Sequence, residues 1–161
     1  MLAMLVGLPG CGFALRGTPR FAFESLRLQG SESTPVAREL QQTLVDAGVR
    51  VFGTALPASP EGETGQVLLV VLADQRERSV VGQTAAGQVR ELQLRTRFRF
   101  SLATASGKQL LEETELLLER DISFTETAVL AKDAEEALLY RDMQGDIVQQ
   151  VVRRLAAVSA L

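Results

Sequence analysis

The chain has no histidine and only one cysteine, and these two scarcities remove much enzyme chemistry before any element is placed. Without histidine, the commonest metal ligand and the usual general base near neutral pH are missing. One cysteine excludes an internal disulfide even in an oxidising compartment. No glycine-rich phosphate loop, dinucleotide fingerprint, nucleophile elbow or zinc spacing occurs either. Asp and Glu remain as acid/base groups, but they are spread along segments that read as solvated faces, where paired acids are a weak signal. The composition favours binding or assembly over catalysis and requires neither a metal nor a cofactor.

Basic excess is lacking too: the formal net charge is −3, which argues against non-specific nucleic-acid binding. The N-terminal apolar stretch runs from Met1 to Gly10 without a Lys or Arg, and a segment of that length falls well short of the roughly 20 residues a spanning helix needs. Its end is the informative part. Leu8-Pro9-Gly10-Cys11 places a small residue before a thiol and a leucine two residues earlier, as a bacterial lipoprotein signal does. A peptidase must fit Gly10, and the sulfur of Cys11 must take up a diacylglyceryl group. Residues 1–10 are read as a signal segment, truncated if the true start codon lies upstream, and 11–161 as a single domain held to a membrane by lipid on Cys11. The alternative is a frayed apolar terminus in which Cys11 is an ordinary small hydrophobe.

With 161 residues, 46% of them apolar, the chain suffices for one core. Phe21 to Gln29 has strand character and ends at Gly30. Thr34 is placed to cap a helix, Pro35 suits its first position, and Val36, Leu40, Leu44 and Ala47 recur on one face until Gly48. Val49 to Phe52 reads as a short strand, and Gln66 to Ala73 as a central strand because it is nearly continuous Val and Leu. From Leu92 to Leu102 the even positions are mostly apolar while Gln93, Arg95, Arg97, Arg99 and Ser101 are polar or basic, so period two is explicit. Thr104-Ala105-Ser106-Gly107 then turns the chain into a partner strand from Lys108 to Asp121, in a register that sets Arg99 against Glu113, Arg97 against Glu115 and Leu102 against Leu110. Tyr140, Met143, Ile147, Val151, Leu155 and Val158 give a long helix from about Asp133 to Ala157, with Gly145 its weak link. The predicted fold is α+β: two helices on one face of a roughly four-stranded mixed sheet.

The ordered set of segments resembles one family. Cys11-Gly12-Phe13-Ala14-Leu15-Arg16-Gly17, Gly87-Gln88-Val89-Arg90-Glu91-Leu92-Gln93-Leu94 before the alternating strand, Leu130-Ala131-Lys132-Asp133 before the last helix, and Leu139-Tyr140-Arg141-Asp142-Met143 with Arg153-Arg154-Leu155 are similar to the lipopolysaccharide-assembly lipoproteins of the LptE family. The resemblance implies an outer-membrane lipoprotein on the periplasmic side. It would plug and help assemble the LptD β-barrel and contact lipopolysaccharide in transit to the cell surface. It also implies a role for Lys132 in that contact. Where the family carries a base before the Gly-Gln segment, this chain has Thr84-Ala85-Ala86, and the nearest bases are Arg78 and Arg90.

Lipopolysaccharide offers phosphates, acidic sugars and acyl chains, so its partner should present guanidinium or ammonium groups beside apolar surface. Arg95, Arg97 and Arg99 form such a stripe, repeating about every 7 Å at a strand rise of roughly 3.4 Å per residue. The same three residues also read as one side of a cross-strand ion-pair ladder. Lys132, Arg90, Arg95, Arg97 and Arg99 are thus the candidate contacts, with Lys132 otherwise a solvated loop charge. An unrelated lipid-anchored periplasmic scaffold without lipopolysaccharide affinity is the other reading of the same chain.

Overall fold

In the computed structural model the described residues are 19–30, 33–53, 65–123, 129–159 and 161; the signal segment and Cys11 lie outside them. The elements are β1 (Ser25–Gly30), α1 (Pro35–Asp46), β2 (Arg50–Phe52), β3 (Gln66–Gln83), β4 (Val89–Thr104), β5 (Gln109–Ser123) and α2 (Val129–Ala156). They form one five-stranded sheet in the order β2-β1-β3-β4-β5. The strand β1 runs parallel to β2 and β3, whereas β3, β4 and β5 are antiparallel.

Apolar side chains decide which face is covered. Along β4 burial alternates strictly, with Leu92, Leu94, Thr96, Phe98, Phe100 and Leu102 buried and their odd-numbered neighbours half-buried. Phe98, Phe100 and Leu102 pack with Val67, Leu69 and Val71 of β3, with Val36, Leu40 and Leu44 of α1, and with Ile147, Val151 and Leu155 of α2. Both helices therefore share one face of the sheet. A smaller cluster of Leu94, Ile122, Tyr140 and Met143 lies under the N-terminal half of α2. The fully buried Thr96 stands between the two clusters along β4.

The central strand departs from expectation in two ways. The sheet places it third of five, but Leu68 and Val70 are only half-buried and Leu72 is 43% exposed, because no helix covers their face. It also continues for ten residues past Ala73, through a polar run that pairs with β4 all the way to Gln83. Backbone pairing, indifferent to side-chain polarity, extends it. At Gly30 the chain leaves the sheet opposite Val71. A Cβ there would sit 2.2 Å from the Val71 carbonyl oxygen and φ is +103°, so only glycine makes that exit.

The β3–β4 and β4–β5 turns share one design, Thr-Ala-Ala-Gly-Gln at 84–88 and Thr-Ala-Ser-Gly-Lys at 104–108. In each, the glycine N–H donates to the threonine carbonyl at 2.9 Å, and the residue after the glycine donates its N–H to the threonine Oγ1. Gly87 and Gly107 have φ of +80° and +88°, the left-handed position that closes a three-residue hairpin loop. The register beyond the second turn differs from the expected one. Two one-residue shifts, between Phe100 and Leu102 and between Leu102 and Ala103, put Arg99 opposite Glu115, Arg97 opposite Leu117 and Leu102 opposite Leu111. Beyond both shifts the displacement is two residues, so the side chains that pair with Phe100 to Glu91 keep their expected faces.

The start of α1 is held from outside the helix. Thr34 makes no side-chain capping bond; instead Asp74 of β3 accepts the N–H groups of Val36 and Ala37 at 3.0 and 3.3 Å. Pro35 has no N–H to satisfy, and Arg38 N–H donates to the Thr34 carbonyl. Each N–H of the first turn thereby has a partner. The helix α2 begins at Val129, earlier than the sequence implies, so Lys132 lies in its first turn rather than in a loop before it.

Candidate functional site

The face opposite the helices carries the arginine stripe, with Arg95, Arg97 and Arg99 paired in register to Glu77, Gln75 and Ala73 of β3. Two of the three are neutralised. Arg95 Nε lies 2.6 Å from Glu119 Oε1, an ion pair that lacks hydrogen-bond alignment, and Arg99 Nη1 donates to Glu113 Oε1 at 2.8 Å across the diagonal. These pairs are 37–54% exposed, so each adds only about 0.2–1 kcal/mol. Arg97 differs: its strand neighbours are Gln75 and the 41% exposed Leu117, and it has no carboxylate partner among the described residues. The ladder reading therefore holds at Arg95 and Arg99, and Arg97 is left as a guanidinium beside apolar surface.

Lys132 belongs to a different layer. It sits in the first turn of α2, 19% exposed, with Nζ 2.7 Å from Glu135 Oε2. One turn later Glu136 reaches Arg78 on β3 at 3.1 Å, and Tyr140 donates its hydroxyl to the Glu77 carbonyl at 2.7 Å. These ties hold the first half of α2 over the second half of β3, beyond which the hairpin turns into β4 at Val89 and Arg90. The fold thus puts Lys132 at the start of α2 and Arg90 near the start of β4, and keeps Arg95, Arg97 and Arg99 on the face opposite the helices. Val80, Val81 and Val89 on the β3–β4 hairpin are exposed and give that end apolar surface.

Three residues that sequence reasoning left out of the site lie there too. Arg76 stacks over the Tyr140 ring at 5.1 Å and donates to Gln144 Oε1, while the Gln144 amide donates to Glu39 of α1. Tyr140 has its pKa raised above 10.0, first by burial and then by the charge of Glu136. It stays a neutral hydroxyl donor at physiological pH. Arg141 follows on the exposed side of α2, its Nε 3.4 Å from the Ala137 carbonyl. The sequence signal for this group is slight: Arg76 and Arg78 sit in a polar run with no periodicity that assigns it an element, and nothing local ties them to residues more than sixty positions on.

A five-stranded mixed sheet with two helices on one face defines an α+β domain, and cations stand at its far end. Its sequence matches the lipopolysaccharide-assembly family LptE over residues 23–155, and the chain belongs to that non-catalytic family of lipoproteins. It is 25% identical to the LPS-assembly lipoprotein LptE of Photorhabdus laumondii, over 98% of this chain and 86% of that one. The solution structure of an uncharacterized lipoprotein B from Nitrosomonas europaea superposes with a TM-score of 0.70 at 28% identity, covering 91% of each chain. The rare lipoprotein B of Shewanella oneidensis, at 22% identity and a TM-score of 0.65 over 83% of this chain and 94% of that one, shares the fold.

Proposed function

We propose that the protein is a lipid-anchored component of the outer membrane, attached through Cys11, which engages an LptD-like β-barrel and binds lipopolysaccharide without turning it over. Residues 1–10 act as the signal and 11–161 as the working domain. The observation that supports this reading is the match to the lipopolysaccharide-assembly family over residues 23–155, on a chain that carries Lys132 in the first turn of α2, Arg90 near the start of β4 and exposed valines on the β3–β4 hairpin. Ammonium and guanidinium groups beside apolar surface suit a ligand that is phosphate at one end and acyl chain at the other. Arg97, with Leu117 next to it, offers the same pairing on the open face, while Arg95 and Arg99 serve the strands.

The test is capture of the tagged protein from detergent-solubilised envelopes, with mass spectrometry of what survives a high-salt wash. A large β-barrel recovered in near-equal amount supports the plug reading. Recovery of no barrel would instead leave an envelope scaffold whose partner lies elsewhere. In the same strain Cys11→Ser should move the protein into the soluble periplasmic fraction with its fold intact, since the lipid adds about 0.8 kcal/mol per buried CH₂ to attachment and nothing to the core. Membrane association that persists would assign the attachment to the barrel.

A further inference from the structure

Between the second half of β3 and the first half of α2 lies a surface groove of about 480 Å³, lined by Arg76, Arg78, Asp133, Glu136, Tyr140 and Arg141. It exists because β1 ends at Gly30, opposite Val71, so beyond that point β3 has α2 over it and no pairing with β1 beside it. A groove of this size falls within the range of small-ligand sites. Its charge runs against that of the chain as a whole: three guanidinium groups face two carboxylates, on a protein of net charge −3.

The arginines of the groove are not all neutralised. Among the described residues only Arg78 has a carboxylate in contact, Glu136 at 3.1 Å. Arg76 is held by a ring face and by an amide oxygen, neither of which cancels its charge, and the Gln144 that holds it is itself tied to α1. Stacking uses the guanidinium face and leaves N–H groups in its plane free to donate. Among the described residues, the polar partner of Arg141 is a backbone carbonyl of its own helix. Two guanidinium groups without carboxylate partners among the described residues thus line one groove, and each is a planar fork of donors that matches the oxygens of a phosphate better than a single-point anion.

We propose that this groove is a phosphate-binding site in which Arg76 and Arg141 make the primary contacts and Arg78 is shared between Glu136 and the ligand. The phosphate belongs either to a glycolipid headgroup, a source that rests on the function proposed above, or to free inorganic phosphate.

The experiment is an NMR titration of the full chain carrying Cys11→Ser with inorganic phosphate at constant ionic strength, reading amide and arginine Nε–H signals. In parallel, capture of purified lipopolysaccharide and of its dephosphorylated form is measured. Saturable shifts confined to 76–78 and 137–141, weakened about tenfold in Arg141→Gln and in Arg76→Gln, are expected. Arg141→Gln carries the decision because, among the described residues, Arg141 is held by a carbonyl of its own helix alone, so folding should be unaffected. Unsaturable shifts spread equally over Arg95, Arg97 and Arg99, or unchanged affinity in Arg141→Gln, would overturn the site. Capture of lipopolysaccharide that falls in Arg141→Gln and on dephosphorylation identifies the headgroup as the source. Saturable phosphate binding in a protein that captures no lipopolysaccharide supports the groove and removes the function proposed above. Capture that depends on Lys132 with no saturable phosphate shift does the reverse.

Discussion

Asp74 is the residue whose removal tests the account of this fold most directly. Its Oδ2 accepts the N–H groups of Val36 and Ala37, both on residues with no exposed surface, so truncation strands two buried donors at once. Loss of a helix N-cap costs about 0.5–2 kcal/mol, and loss of a negative charge at a helix N-terminus a further 0.3–1 kcal/mol or so. Against this, Asp74 Oδ1 is buried without a partner, and its removal returns part of that cost. The balance for Asp74→Ala is a destabilisation of about 2 kcal/mol, which for a domain of this size lowers Tm by roughly 4–8 °C. Asp74→Asn keeps an acceptor but drops the charge, and about 1 kcal/mol should be lost. Urea unfolding followed by circular dichroism measures each, with an unchanged m value showing that only stability has moved. If Asp74→Ala lies within 0.5 kcal/mol or so of the parent, then the helix is not capped across the fold and the reasoning fails.

Gly145 lies within α2 with Glu39 Oε1 3.7 Å from where a Cβ would stand, an ordinary contact. Gly145→Ala should therefore stabilise by about 0.8 kcal/mol, and calorimetry showing a lower Tm would mean the helices meet more closely there. The chain has one tyrosine, so near-ultraviolet phenolate absorbance reports Tyr140 alone. Its midpoint should lie above 10.0 in the folded protein. Since the folded pKa is raised, its contribution to stability is complete below the unfolded value and is lost as pH rises through the folded one; a midpoint at or below 10.0 contradicts the burial. Lys132→Asp should weaken lipopolysaccharide capture several-fold without moving Tm beyond a degree or so, because its ion pair with Glu135 is local to one helical turn. Unaltered capture removes Lys132 from the site.

Much of the fold was legible because the residues that make it alternate or recur at short range. Period two from Leu92 to Leu102 marks β4 and assigns both its faces, and the 3.6-residue spacing of Val36, Leu40 and Leu44 marks α1 together with its buried side. What escaped depends on partners far along the chain. Asp-Gln-Arg-Glu-Arg-Ser at 74–79 has no strand pattern of its own, and becomes strand only because β4 supplies its hydrogen bonds. Thr34 has the right chemistry for a cap, yet a carboxylate from β3 takes that work. The two extra residues taken up in β5 moved Glu115 from Arg97 to Arg99 as a strand partner, while Arg99 still reaches Glu113 along the diagonal and the faces stay correct, since alternation fixes orientation and does not fix register.

The same contrast accounts for where a ligand can be received. Around α1 and the second half of α2 the sheet is covered by aliphatic and aromatic side chains, a surface that closes on itself and offers nothing to an anion. Farther along β3 the apolar cover thins to Leu94, Ile122, Tyr140 and Met143, and the start of α2 is held instead by Arg78 with Glu136, by the Tyr140 hydroxyl on the Glu77 carbonyl, and by the Arg76–Gln144–Glu39 relay. Polar ties at a partly wet surface contribute little net stability each, and their groups remain able to exchange partners. An apolar core at one end can thus fix the sheet while the polar end stays open to phosphate. Arg76 and Arg141 are positioned there by contacts that leave their charge unspent.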